Sequence, residues 1–384
     1  MTSLPRNHRI IFADLAPARH IKVMHDMGLC LLIDQLPRTE LCAYEYITPT
    51  ASTLFLNFRK HYPDITSSSL FKMPKTFLIT SATGSQGGST ARELLRRGHK
   101  IHALVRDISS PASLTLQNQG ATLFKGDFND VPAIAAAIKG VDGVFLNTFP
   151  DFEDPDGEVR QAENIVAAAK AIGVKTVVVS TVFQSSKQAE ITANKSGYPF
   201  LSYYYARKAG VEKVVKEAGF ESWTVLRPDW LHYQYLAPAC DYNFLNYKEG
   251  HELTVSYEPT YKKRHFSPYD VGKFAAAALL GKEGYNREVI ELTGEGYTFD
   301  EVAKILSRVS GVEVKVRYRS KEETRQLRES GTFPVLEQQL LSREVKYHEY
   351  DPKDLEKFGI KFESLEEFLV KEKERLLETL GAKG

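Results

Sequence analysis

The sequence is short of cysteine, of unbalanced charge and of long apolar runs, and each shortage closes off a class of protein. Three cysteines in 384 residues, Cys30, Cys42 and Cys240, are too few and too far apart for a disulfide framework, and no cysteine or histidine pairs fall at zinc-ligand spacing. A reducing compartment, cytoplasmic or nuclear, and no metal are therefore expected. Lysine and arginine number 50 against 49 aspartates and glutamates, so there is no basic field to gather nucleic acid or an anionic bilayer. The most apolar early stretch runs only from Met27 to Ile33 before Asp34 closes it, far short of the roughly 20 residues that a membrane-spanning helix needs. With 42% hydrophobic and 26% charged residues, the chain has the make-up of a globular protein able to bury one or two cores, and a small molecule is the partner that fits.

Residues 1–72 differ from the rest of the chain. His8, His20, His25 and His61, several prolines and short apolar pieces never settle into a strand or helix period. An N-terminal extension without packed structure is expected, and Asp14, Asp26, Asp34 and Glu40 speak against a mitochondrial leader. Met73-Pro74-Lys75 directly precedes the first strand, so translation is expected to begin at Met73; a native peptide from residues 1–60 would overturn that.

From Lys75 onward apolar strands alternate with helices, the pattern of βαβ units around a parallel sheet. Candidate strands are 77–79, 101–105, 121–124, 143–146, 176–179 and 223–226, near-continuously apolar as burial on both faces requires. Helices are expected over 90–97, 131–138, 158–172 and 203–217. The pattern implies an α/β fold class, a doubly wound parallel sheet of Rossmann type over 73–228 with a smaller α+β portion over 229–384. In that portion 269–280, 299–310 and 364–380 read as helices and 288–293 and 312–318 as strands, with about 265–281 packing back on the first domain. The smaller portion would lie over the carboxyl ends of the sheet, where open α/β sheets bind ligands.

Ser81-Ala82-Thr83-Gly84-Ser85-Gln86-Gly87 comes after a strand and opens a helix, the context that a dinucleotide fingerprint requires. Gly84 would let the backbone approach a pyrophosphate, Gly87 would allow close helix–strand contact, and the helix N-terminus offers N–H groups and a favourable dipole. Ser81 stands where the first glycine of the usual pattern falls, and serine is less at ease than glycine in a left-handed turn. Arg106 ends the second strand, 22 positions after Gly84. An arginine there would accept the 2′-phosphate of NADP, where an acid would bind the ribose hydroxyl of NAD. NADP is the expected cofactor, with Asp107 as a competing ribose ligand and a solvated strand-end charge as the other reading of Arg106. Asp127 and Phe128 close the third strand and could meet the adenine, unless Asp127 caps the next turn. Asn147, Thr148 and Phe149 close the fourth and would border the nicotinamide ribose.

Tyr204 and Lys208 form Tyr-x-x-x-Lys on one helix face, downstream of Ser180-Thr181 at the end of the fifth strand. In a reductase the tyrosine would protonate a carbonyl oxygen as hydride arrives, the lysine charge would lower its pKa, and the Thr181 hydroxyl would orient the substrate. Two alternatives stay open: Tyr204 as a packing aromatic, and Lys208 working alone on the nicotinamide ribose. His232 lies after the last strand and could face the substrate.

On these residues the sequence resembles the NmrA-like family, an atypical branch of the short-chain dehydrogenase/reductase superfamily, from about Pro74 to the C-terminus. The likeness rests on Ala82 to Gly88, Ala103 to Arg106, Gly126-Asp127, Lys208 to Glu212, Val225 to Pro228 and Glu291 to Gly294. It implies NADP contacts at Ser81 to Gln86, at Arg106, Asp107, Ile108, Ser109 and Ser110, at Asp127 and Phe128, at Asn147 to Phe149, at Lys208, and at Trp230, Leu231, His232 and Tyr233. Ser81 in place of glycine and Tyr233 in place of a frequent asparagine depart from the family pattern. The family includes both reductases and NADP(H)-sensing regulators that bind proteins and lack the tyrosine. Tyr204 therefore favours an NADPH-dependent reductase of a small, fairly apolar carbonyl, quinone or enone, with the regulator as the alternative.

Overall fold

The computed structural model describes residues 73–149, 153–195, 197–344 and 351–382, together with three short strands nearer the N-terminus. Those strands, Ile10–Ile11, Ile21–Met24 and Cys30–Ile33, pair antiparallel in that order. The extension expected to lack structure falls, those strands apart, outside the described residues.

Pro74–Gly384 form a compact unit built on seven strands: β1 (Thr76–Ile79), β2 (Lys100–Val105), β3 (Thr122–Lys125), β4 (Gly143–Leu146), β5 (Thr176–Ser180), β6 (Ser222–Pro228) and β7 (Glu288–Leu292). They lie in the order β3-β2-β1-β4-β5-β6-β7, and every neighbouring pair is parallel. The order reverses between β1 and β4, which opens a crevice at their carboxyl ends. The pleat sorts side chains between two cores. Phe77, Ile79, Ala103, Val105, Phe145 and Val178 pack into one; Leu78, Leu104, Val144, Leu146, Val177 and Val179 pack into the other. Burial on both faces is why these strands read as unbroken apolar runs.

Helices cover both faces. α1 (Ser85–Arg96), α2 (Pro111–Asn118), α3 (Val131–Ile138), α4 (Gly157–Ala171), α5 (Ser185–Ala193), α6 (Pro199–Glu217) and α7 (Pro268–Leu279) succeed one another in chain order. α1 and α7 serve the first core, and α3, α4 and α6 the second. Gly272 lets α7 lie against α1, because a β-carbon there would sit 2.6 Å from the Ser89 carbonyl carbon. α5 was not expected, since its short, largely polar run carries no clear apolar stripe and lies between a strand end and a stronger helix signal.

All six strands expected in 73–228 occur, and one assignment changes. Glu288–Leu292, read from sequence as part of the smaller portion, joins the main sheet as its edge, with Ile290 opposite Leu226. Pairing partners of a short strand are set by tertiary contacts, and alternation along the strand cannot name them. The smaller portion has its own aromatic-rich core of Trp230, Tyr235, Phe244, Tyr247, Phe299 and Phe368, among others. The expected final helix is broken in two at Glu372, Leu365–Lys371 and Lys373–Thr379, with Leu365, Phe368, Leu369 and Leu376 buried. Two helices that sequence reading passed over, Lys321–Ser330 and Leu336–Glu344, precede it in the chain. Among the described residues no helix is long and apolar enough to cross a membrane.

Candidate functional site

The glycine loop joins β1 to α1 at the crevice. Ser81 adopts φ +48°, the left-handed region, and its hydroxyl donates to the Asn147 carbonyl at 2.8 Å. That bond offsets part of the cost that a glycine would not incur. Thr80 adds a second tie: its hydroxyl donates to Phe145 O at 3.1 Å and accepts Asn147 N at 2.7 Å. The turn is thus stitched to the end of β4. α1 begins beyond Gly84 with no side-chain cap and no acid in its first turn, which leaves its N-terminal dipole open to an anion. Gly87 is where strand and helix touch, since a β-carbon there would lie 2.3 Å from Ser81 O and 2.5 Å from Thr80 O. Gly87→Ala is expected to lower stability by roughly 1–3 kcal/mol through overpacking, measured by urea denaturation. An unchanged midpoint would show that the loop can shift aside.

Ser81, Thr83, Gly84, Ser85 and Gln86 line a cleft of about 1960 Å³, whereas Ala82 and Gly87 are buried beneath it. Gln86 is held by Ser180, whose hydroxyl donates to Gln86 Oε1 at 2.6 Å. Arg106, Asp107, Ile108 and Ser109 are exposed beyond β2. Asp107 is drawn into a turn, accepting Ser109 N at 2.8 Å and Ser109 Oγ at 2.6 Å, and Ser110 caps α2 by accepting Ser113 N. Arg106 is left as the cation of this loop. Asp127 accepts Asn129 N at 2.7 Å and Asp130 N at 3.1 Å, the turn-capping role, while Phe128 packs half-buried against the second core.

The end of β4 meets α6. Asn147 and Thr148 line the cleft with the exposed Phe149, and Asn147 Nδ2 donates to Ser180 O at 3.1 Å. Lys208 donates to Thr148 O at 3.0 Å and to Glu158 Oε1 at 2.6 Å. Glu158, which sequence reading missed, is fully buried and also accepts the Thr148 hydroxyl at 2.8 Å. An acid in the first turn of a helix is ordinarily a dipole partner, so nothing in its position marked it. The Lys208 ammonium lies 5.7 Å from the centre of the Tyr204 ring.

The expectation that Lys208 lowers the Tyr204 pKa is corrected by this geometry. Burial pushes the phenol up, and the charge of Glu158 and the neighbouring Tyr233 push it further, so Tyr204 stays protonated. Thr181 lines the same cleft, with its hydroxyl proton already engaged. Its hydroxyl donates to Glu212 Oε1 at 2.8 Å and belongs to a buried network around Arg227.

Of the stretch after β6, Trp230, Leu231 and Tyr233 line the cleft. His232 does not: it is buried 6.1 Å from His265 and 5.4 Å from Phe368, ring to ring. Burial and His265 hold its pKa well below the usual histidine range, so it is neutral. Among the described residues no cluster of side chains could hold a metal ion.

Fold and cleft together define a Rossmann-type α/β protein whose ligand crevice sits at the topological switch point. The chain belongs to the NmrA-like family, whose model matches residues 73–369. It is 32% identical over 165 residues to the NmrA-like family domain-containing oxidoreductase himF of Aspergillus japonicus, covering 42% of this chain and 48% of that protein. The chain therefore spans about half the length of that relative. It is 28% identical over 270 residues to the oxidoreductase FrzB of Cladobotryum sp, covering 63% of this chain and 76% of the relative. Among solved structures, the NADPH-dependent quinone oxidoreductase of Escherichia coli complexed with NADPH superposes with TM-score 0.56 at 23% identity, over 77% of this chain and 99% of that one. The negative transcriptional regulator NmrA in complex with NADP superposes with TM-score 0.59 at 18% identity, over 80% and 98%. At these identities the shared property is the fold.

Proposed function

We propose that this chain is an NADP(H)-dependent oxidoreductase that reduces a small, fairly apolar carbonyl, quinone or enone. One observation carries the reading: a single cleft runs from the glycine loop past Asn147 to Tyr204 and Lys208, walled by Phe200, Tyr205, Trp230, Tyr233 and Tyr257. Relatives named as oxidoreductases support it. The cradle fits a dinucleotide, because α1 starts uncapped and Gly87 leaves no room for a side chain between loop and helix. Ser81 to Gln86 would hold the pyrophosphate, Arg106 the 2′-phosphate, and Asn147 to Phe149 with Lys208 the nicotinamide ribose. When bound, NADPH supplies a hydride.

The chain's own residues do the rest. The Tyr204 phenol, kept neutral, donates a hydrogen bond to the substrate oxygen and gives up its proton there. Glu158 holds the Lys208 ammonium in an ion pair at 2.6 Å, so Lys208 acts by positioning. α6 and the segment after β6 together supply the aromatic wall that excludes water.

The test is NADPH consumption against a panel of quinones and enones, with NADH in parallel. Turnover with NADPH is expected, and Arg106→Ala should raise KM for NADPH roughly tenfold or more while leaving that for NADH unchanged. An equal effect on both cofactors would remove Arg106 from the 2′-phosphate. No turnover anywhere, with a protein partner that binds only one redox state of NADP, would replace the reductase by the regulator.

A further inference from the structure

We propose that Gln188 is a substrate-recognition residue, a buried amide in the cleft wall whose carbonyl oxygen accepts a hydrogen bond from a hydroxyl or N–H group of the substrate. This rests on the reductase reading and narrows its substrate class, from apolar carbonyl compounds to ones that also carry a hydrogen-bond donor.

Gln188 lies on α5, the helix that packs along α6 and so beside the element bearing Tyr204 and Lys208. Its side chain borders the cleft and is only 1% exposed. Oε1 has no hydrogen-bond partner among the described residues. The backbone is fully engaged, with Gln188 N donating to Gln184 O at 2.9 Å and Gln188 O accepting the Thr192 hydroxyl at 2.7 Å. Helix register therefore does not account for the side chain. Buried polar atoms in native proteins are almost always paired, so an unpaired one on a residue that borders a ligand cleft points to a partner brought by the ligand, reached by a small turn of the side chain.

The surroundings sharpen the point. Val182, Phe183, Leu201 and Tyr205 line the same cleft, so the cleft that Gln188 borders combines apolar and aromatic groups with a few polar ones, the usual make-up of a pocket that fixes ligand orientation. The nearby hydroxyls are already committed, since Thr181 and Ser185 both donate to Glu212. A leucine would fill the same space with no oxygen to satisfy. Glutamine differs from leucine there in presenting an acceptor that the protein itself leaves unpaired. A carboxamide oxygen accepts and does not donate, which selects a hydroxyl or N–H on the ligand. Turning the amide over would instead demand an acceptor, and matched hydroxyl and ether probes separate the two.

The test uses the full chain with NADPH and two matched pairs: hydroxymethyl-benzoquinone against its methyl ether, and para-hydroxychalcone against para-methoxychalcone. The wild type is expected to favour the hydroxyl member of at least one pair by roughly 10- to 100-fold in kcat/KM. Gln188→Leu and Gln188→Met should bring that ratio close to one by lowering kcat/KM for the hydroxyl member, and melt no lower than the wild type. Two variants are used so that misfolding of one leaves the other to decide. Equal turnover of both members, a preference for the ethers, or a ratio unchanged in the variants would overturn the proposal. Binding of each pair to the NADP-loaded protein, monitored by fluorescence quenching, distinguishes the two levels of failure. A hydroxyl preference in binding that Gln188→Leu abolishes, without turnover, would keep the recognition and remove the reductase reading. No preference in binding or turnover would remove the recognition alone if the ethers are reduced.

Discussion

Tyr204→Phe is expected to lower kcat for NADPH-driven reduction by roughly 10²- to 10⁴-fold, the usual contribution of a positioned general acid, while changing cofactor affinity little. The phenol stacks on Phe200, with ring centres 6.3 Å apart, and phenylalanine keeps that contact, so the loss would report the hydroxyl rather than packing. The pH profile gives a second check. Burial first, then Glu158 and Tyr233, hold the Tyr204 pKa above its ordinary value. The neutral acid is therefore the form present across the physiological range, and no fall in rate from its ionisation should occur up to about pH 10, where a free tyrosine would titrate. A mutant that keeps the full rate would end the tyrosine-acid mechanism. A wild-type rate that collapses on a pKa near neutrality would show that Lys208 escapes Glu158 and activates the phenol after all.

Arg227→Ala should cost roughly 3–5 kcal/mol of stability, because it strands two buried carboxylates. Arg227 donates to Glu212 Oε1 at 2.9 Å and Oε2 at 2.6 Å, to Glu291 Oε1 at 2.8 Å and to Ser186 Oγ at 2.9 Å. Lys216 is 3.1 Å from Glu212 but partly exposed, so it cannot replace the guanidinium. The Glu212 contribution to the pH dependence should change sign with the mutation. In the wild type, burial raises the Glu212 pKa but Arg227 more than offsets it, with Ser185 and Thr181 assisting, for a net lowering. Its contribution is therefore present above the unfolded carboxylate pKa and lost as pH falls through the folded value. Glu291 is net raised, since burial outweighs Arg227 and the Gln184 N–H, and its opposing effect appears as pH rises through its folded pKa. Without Arg227 both carboxyls would be raised, so the variant should be hurt most at neutral pH and recover toward the wild type in acid. Urea midpoints across that range measure it; a constant gap at all pH values would show that lost packing, not charge, carries the cost.

The network explains why some residues were legible in the sequence and their work was not. Glu212, Arg227 and Glu291 all lie within the stretches that carried the family likeness, on α6, β6 and β7. Nothing in sequence spacing said that the three meet, because β7 reaches β6 only through a long excursion. The same excursion misled the assignment of Glu288–Leu292. Thr181 was legible as a strand-end hydroxyl, but which acid would claim it was not. Lys208 was legible as a partner of Tyr204 by helical spacing, while Glu158, which reverses its electrostatic effect, arrives from a different helix.

What the sequence alone determined was local and periodic: buried parallel strands, the loop from Ser81 to Gly87, the helical pairing of Tyr204 with Lys208, and the family to which the chain belongs. These depend on neighbours a few positions away, where backbone sterics and side-chain period leave few choices. The tertiary structure alone decided the pairing of the seventh strand, the burial of His232 and Gln188, the upward direction of the Tyr204 pKa shift and the cleft that joins glycine loop to aromatic wall. Each of those turns on desolvation and on contacts between residues far apart in the chain, and neither quantity exists until the chain is folded.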